Sequence, residues 1–275
     1  MTTPKINTIK RGDARFYVAP ETGLKYPGVT SILNMLPKDF LQYWAAKVVA
    51  EEAVADLGSV VNIALRDPAA AIDYLKRAPR RVTSRAADAG TSAHALFETL
   101  ARGQKVGRVH PDMEPYVRHF NEYLDVVQPE YHFMEETVWS DTHQYAGSFD
   151  AFATIQGEKC WVDNKTTRSG VHEEVGLQLT AYGKADKIIR PDGSEIPMPE
   201  ADAAVVLHVR PEGWKLVPVR YDDELFDVFL HLREVFRYEH EMKSTMIGDI
   251  AFSGPAENAP TGPKRRAPRA KAVVA

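Results

Sequence analysis

Apolar positions recur along this chain with two different periods, and the period changes near Pro129. At the N-terminus, residues 12–18 (GDARFYV) and 23–29 (GLKYPGV) read as short strands of a hairpin or extended arm. Thr30 or Ser31 is placed to cap a first helix, and helical spacing predicts a second over 40–57. Asp67 followed by Pro68 is a helix-start signal for 68–77, and further helices are predicted over 84–102 and 115–127. Beyond Pro129 the segments 131–140, 145–155 and 159–165 are rich in aromatic and β-branched residues and read as strands. Gly157 supplies the tight turn between the last two. Helical spacing returns over 172–189. A strand pair follows over 203–210 and 214–220, and 222–243 reads as a long amphipathic helix.

Helices, then a β-meander, then mixed elements predict an α/β (α+β) fold, a mixed sheet flanked by helices with an N-terminal helical extension. Three regions follow: an arm and helical extension over 1–80, a core over 81–252 and a tail over 253–275. The tail has four prolines, two glycines and no aromatic residue, too little apolar surface to offset the entropy of ordering, so it is predicted to be disordered.

Composition narrows the function classes. The hydrophobic fraction of 44% and charged fraction of 26% are those of a globular chain with a real core. No apolar run approaches the roughly 20 residues of a spanning helix, and no apolar stretch follows the charges at the N-terminus, so neither membrane association nor a secretory signal is expected. Net charge is 34 − 38 = −4; five bases and one acid from Ser253 onward make the tail +4 and the body −8. An acidic body argues against a protein that coats nucleic acid non-specifically. A single cysteine, Cys160, rules out an internal disulfide framework and any multi-cysteine metal site, and the cytoplasm is the expected compartment.

The stretch from Gly147 to Thr167, GSFDAFATIQGEKCWVDNKTT, carries the chemistry. If its two strands pair around Gln156 and Gly157, opposite residues sum to 313, and Asp150 faces Asp163. Lys165 shares the face of Asp163, because residues two apart on a strand point the same way. Two carboxylates at cross-strand distance repel, and a divalent cation removes the conflict. Mg²⁺ takes oxygen ligands and commonly uses one or two carboxylates with water and substrate phosphate. The plain alternative is an exposed hairpin face bearing a Lys–Asp pair. Two other segments add to this one. His94 lies in line with Ala87, Gly90, Phe97 and Ala101 at helical spacing, and Gln178 and Tyr182 stand four apart on one helical face.

His94, G-x-x-D at Gly147 to Asp150, D-x-K at Asp163 to Lys165 and Q-x-x-x-Y at Gln178 to Tyr182, in this order, resemble the PD-(D/E)XK nuclease superfamily. The similarity is to its RecB-type exonuclease branch, which includes phage relatives of the CRISPR adaptation nucleases, and it runs from about Tyr26 to Arg190; YPGVTSIL and Trp44 resemble the arm of the phage members. The resemblance implies a restriction-endonuclease-like αβββαβ core that hydrolyses phosphodiester bonds with one or two Mg²⁺ or Mn²⁺ ions. It implies that Asp150, Asp163 and the main-chain carbonyl of Asn164 ligate metal, that Lys165 positions or activates water, and that His94 ligates or orients a second metal. Gln178 and Tyr182 would contact DNA or brace the site. Glu135 fits the position of the family's further glutamate, with Glu136 the competing choice, and Glu98 would orient the histidine or face solvent. Aspartate stands at 163 where the branch usually has glutamate. The four cysteines of the CRISPR-associated relatives are missing, so no iron–sulfur cluster is expected.

Linear DNA with free ends is the implied substrate, in phage recombination, repair or replication, with a recombinase or helicase as partner. Lys76, Arg77, Arg80, Arg81 and Arg85 lead into the His94 helix and either grip a DNA backbone or form a solvated loop; Lys184, Lys187 and Arg190 are a second candidate patch. No Walker-type G-x-x-x-x-G-K-[ST] segment is present. A structure- or sequence-specific endonuclease, or a catalytically silent DNA-end-binding module, would carry the same motifs.

Overall fold

The computed structural model describes residues 5–252, so the basic tail lies outside the described residues. The arm is a three-stranded antiparallel sheet, β1 (Thr8–Arg11), β2 (Ala14–Val18) and β3 (Lys25–Pro27), followed by a short helix α1 (Val29–Leu33). Gly28 stands at the N-cap of α1 with no side-chain cap, in place of the Thr30 or Ser31 cap expected from sequence. Helices α2 (Phe40–Ala55), α3 (Leu57–Arg66) and α4 (Pro68–Lys76) form the extension. Asp67 starts α4 as expected: its Oδ1 accepts from the N–H groups of Ala69 at 2.9 Å and Ala70 at 3.1 Å, and Pro68 occupies a position where an N–H is not needed.

Helix α5 (Ala78–Ala101) begins six residues earlier than the expected start at 84 and absorbs most of the basic run. Arginine is a good helix former and Pro79 is tolerated in the first turn, so nothing in that run breaks a helix. Helix α6 (Glu114–Val127) follows.

A five-stranded mixed sheet forms the centre, in the order β12-β11-β8-β7-β4. Its members are β4 (Glu130–Met134), β7 (Ala151–Ile155), β8 (Glu158–Lys165), β11 (Ala203–Arg210) and β12 (Gly213–Val219). Strand β11 runs parallel to β8 and every other neighbouring pair is antiparallel. The crossover between β8 and β11 carries helix α7 (Glu174–Gly183), as a parallel connection requires. Hairpin β7–β8 has the expected register: Ala151 pairs Val162 and Phe152 pairs Trp161, both summing to 313. Gln156 and Gly157 both have positive φ, 51° and 91°, the signature of a two-residue turn matched to strand twist.

A second sheet, in the order β10-β9-β5-β6, contains β5 (Thr137–Ser140), β6 (Tyr145–Ser148), β9 (Lys187–Ile189) and β10 (Glu195–Pro197). Three expectations change here. Segments 131–140 and 145–155 are each two strands in different sheets, and the helix expected over 172–189 ends at Gly183, with Lys187–Ile189 joining the second sheet.

Alternation along the central strands sorts their side chains onto two faces. Phe152, Trp161, Ala204 and Val206 pack under α1, α7 and the long helix α8 (Asp223–Arg237). Ala151, Ala153, Cys160, Val162, Val205 and Leu207 pack under α5 and α6. The result is a mixed sheet flanked by helices. Among the described residues, no helix is long and apolar enough to cross a membrane.

Candidate active site

The site lies where the two sheets meet. The chain leaves the central sheet after β4 at Glu135 and returns to it at Asp150 before β7. These two breaks face each other: the Glu135 N–H donates to the Asp150 carbonyl at 3.0 Å, and the Phe149 N–H donates to the Glu136 carbonyl at 3.1 Å. Glu135 has φ 58°, a left-handed conformation that costs a residue with a Cβ on the order of 1–3 kcal/mol and collects at functional sites. This crease puts two buried carboxylates side by side, Glu135 at 7% exposure and Asp150 at 6%.

Helix α5 brings His94 to the same place. Its Nδ1 is 3.5 Å from Asp150 Oδ2 and makes no hydrogen bond. Ligand atoms of His94, Glu135 and Asp150 all lie within 4.8 Å of one another. The stripe containing His94 turns inward only from Gly90 onward; Ala87 is exposed.

Strand β8 supplies the other half. Asp150 Oδ2 accepts the Asn164 N–H at 2.6 Å, which joins the crease to the D-x-K triplet. In a pleated strand the N–H and C=O of one residue point to the same edge, so the Asn164 carbonyl is on the Asp150 side. Lys165 Nζ pairs with Asp163 Oδ2 at 2.8 Å and donates to Gln178 Oε1 at 3.4 Å. The Gln178 amide donates to Asp163 Oδ1 at 2.8 Å and to the Tyr182 hydroxyl at 3.2 Å. The two residues of Q-x-x-x-Y thus brace the aspartate of D-x-K from one face of α7. Lys165 alone in this group keeps substantial exposure, 30% of its side chain.

Gly147 has a steric reason. A Cβ there would stand 2.5 Å from Cε1 of Tyr182 and 3.1 Å from Val29. Tyr17, which the sequence does not single out, also belongs to this packing: its hydroxyl accepts the Ser148 N–H at 3.0 Å.

Burial and charge pull the carboxylates apart. Burial, with Asp150 and Glu98 nearby, pushes Glu135 up to about 9. Burial also disfavours the Asp150 carboxylate, but His94, Lys165 and the Asn164 N–H outweigh it and hold the group below the usual range. Asp163 is raised by burial and by Asp150 despite Lys165. Burial opposes the Lys165 ammonium, yet Asp163 and Asp150 overcome that and raise its pKa. Pairs of acids driven in opposite directions are a mark of sites that handle protons or cations.

Other expected residues lie elsewhere. Glu136 faces Arg190, with 3.6 Å between Oε1 and Nε, while Glu135 lines the crease. Glu98 neither orients His94 nor points freely to solvent; Arg102 holds it at 2.8 Å and Lys5 lies 3.6 Å away. Arg81 is committed to the extension, bonding Glu52 at 2.6 Å and the Tyr74 carbonyl at 2.8 Å. Arg80 and Arg85 are exposed on α5 below His94. The second patch is neutralised: Lys184 pairs with Asp223, Lys187 with Asp141 and Glu195, and Arg190 with Glu136.

No protein-family model matches this chain, and no curated protein matches it. The chemistry must therefore be read from the site. Two adjacent buried carboxylates, an imidazole Nδ1 without a hydrogen bond and a main-chain carbonyl on the same side form a donor set that fits a hard divalent cation such as Mg²⁺ or Mn²⁺.

Proposed function

We propose that this protein is a metal-dependent DNA exonuclease of the PD-(D/E)XK type, hydrolysing phosphodiester bonds in linear DNA. The observation that carries the reading is the convergence of Asp150, Asp163, Lys165, Gln178 and His94, from four separate segments, at one end of the central sheet. The succession α5 and α6, β4, β7, β8, α7, β11 supports it, because it follows the αβββαβ order of the restriction-endonuclease-like core.

Asp150, Glu135, His94 and the Asn164 carbonyl would hold Mg²⁺ or Mn²⁺, while the two oxygens of Asp163, expected from sequence as a ligand, are engaged by Gln178 and Lys165. The bound cation would acidify a water molecule and offset charge growing on the phosphate. Lys165, held as an ammonium by Asp163 and Asp150, donates hydrogen bonds and is suited to orient the attacking water and a phosphate oxygen. Gln178 fixes the Asp163 carboxylate, which holds the Lys165 ammonium at 2.8 Å, while 30% of the lysine side chain stays exposed. Tyr182 keeps Gln178 in that orientation. Arg80 and Arg85 lie on the same helix as His94, where they would meet the DNA backbone.

The test is degradation of end-labelled single- and double-stranded DNA with Mg²⁺, Mn²⁺ or EDTA, beside Lys165→Ala. Progressive, metal-dependent loss of nucleotides that disappears in the variant is expected. Cutting of closed circles would make the protein an endonuclease, and binding without cleavage would make it an end-binding module.

A further inference from the structure

The backbone ladder between β8 and β11 stops at Lys165, which pairs His208. The next two carbonyls, of Thr166 and Thr167, have passed the end of that ladder. Each is met by a side chain of β11: Arg210 Nη1 donates to the Thr166 carbonyl at 2.8 Å, and His208 Nε2 bonds the Thr167 carbonyl at 2.8 Å. A carbonyl only accepts, so Nε2 of His208 carries the proton. Arg210 is itself steadied by the Tyr116 hydroxyl at 3.4 Å and by Glu212 at 3.5 Å. On the other side, the Thr166 hydroxyl lies against Gly90 of α5, one turn before His94, at an ordinary contact distance of 3.5 Å from where a Cβ would stand.

We infer that His208 and Arg210 are positioning residues of the nuclease site, extending the hydrogen bonding of β8 past Lys165 and so fixing where that lysine points. The inference rests on the nuclease reading. Without these two donors the chain after Lys165 is tied only within its own loop, where the Thr167 hydroxyl donates to the Gly170 carbonyl at 2.6 Å and the Gly170 N–H to the Thr167 carbonyl at 3.4 Å, so the loop can turn relative to β11. Lys165 then loses the stem orientation that lets one ammonium serve Asp163, Gln178 and a substrate oxygen together. Neither side chain is within the cation's donor set, so cation binding is untouched by their loss.

Full-length His208→Leu, His208→Gln and Arg210→Lys are compared with wild type for kcat and KM on end-labelled DNA at saturating Mg²⁺, for Mn²⁺ affinity by calorimetry, and for Tm. Leucine removes the donor and keeps bulk; glutamine restores an N–H to the Thr167 carbonyl; lysine keeps charge but loses the planar fork. His208→Leu and Arg210→Lys are expected to lower kcat about 10- to 100-fold, as loss of supporting residues around a site does, with KM and Mn²⁺ affinity unchanged. His208→Gln is expected to recover most of that loss. Equal kcat in the leucine and glutamine variants, or a fall in Tm with kcat intact, overturns the inference. An inactive wild type removes the nuclease reading and this inference with it, whereas an active wild type with fully active variants removes the inference alone.

Discussion

The central sheet and the helical extension use apolar residues in opposite ways. In the sheet and the helices against it, Trp161, Phe152, Val206 and Leu207 are 0–2% exposed. In the extension, α3 buries no residue and α2 only Val48, while Val54 at 78%, Leu57 at 60% and Leu65 at 82% face outward. The extension is fastened by polar contacts, chiefly Tyr74 and Arg81 on Glu52. Helix α5 belongs to both regions: its first half carries the extension, and its second half buries Ala93, His94 and Phe97. The carboxylates and Lys165 are therefore held by the sheet, and His94 sits on the helix that the extension shares.

The contrast can be broken most strongly from the core. Trp161→Ala should cost about 3–5 kcal/mol in denaturant unfolding, because it removes a fully buried ring packed against Phe149 and Phe152. A cost below about 1 kcal/mol would mean that the sheet is not the stable unit. Gly147→Ala should cost about 1–3 kcal/mol through overpacking against Tyr182, and should weaken activity by displacing Gln178.

Glu135 links the two halves of the crease to pH. Its folded-state pKa of about 9 stands above the ordinary 4.5, so the metal-free native state holds the proton more tightly than the unfolded chain does. That stability is fully present below pH 4.5 and is lost as pH rises through 9. Melting temperatures of the metal-free protein across this window should therefore fall less steeply with rising pH in Glu135→Gln than in wild type. Parallel slopes would place Glu135 outside the crease.

The extension should respond least. Val61→Ser, at a 46% exposed position of α3, is expected to change stability by no more than about 0.5 kcal/mol. Arg85→Ala should leave stability unchanged and, if α5 meets DNA, reduce the salt slope of binding by about 1. An unchanged slope would remove Arg85 from the interface.

How far these features are legible in the sequence follows from their physics. Register across Gln156 and Gly157 was readable because a two-residue turn fixes pairing and strand period fixes faces. The crease was not, because no glycine or proline interrupts FMEETVW, and Glu135 adopts its left-handed conformation only under tertiary constraint. The end of α7 was hidden by apolar spacing that continues smoothly into β9. Among the candidate residues, spacing pairs Asp163 with Lys165 and Gln178 with Tyr182, and only the family resemblance joins the two pairs, whereas the choice between Glu135 and Glu136 depends on which of them the bend turns inward. The salt bridge that ties Arg81 to Glu52, 29 residues away, leaves no local signal in the sequence.

The central claim is that the crease gathers a divalent-cation site, and Mn²⁺ binding measured by calorimetry on wild type and Asp150→Asn tests it most directly. Binding by the wild type should be saturable, release protons as Glu135 ionises and strengthen as pH rises towards 9, with affinity lost in the variant. Equal affinity in the two proteins, or no binding to the wild type, would contradict the account.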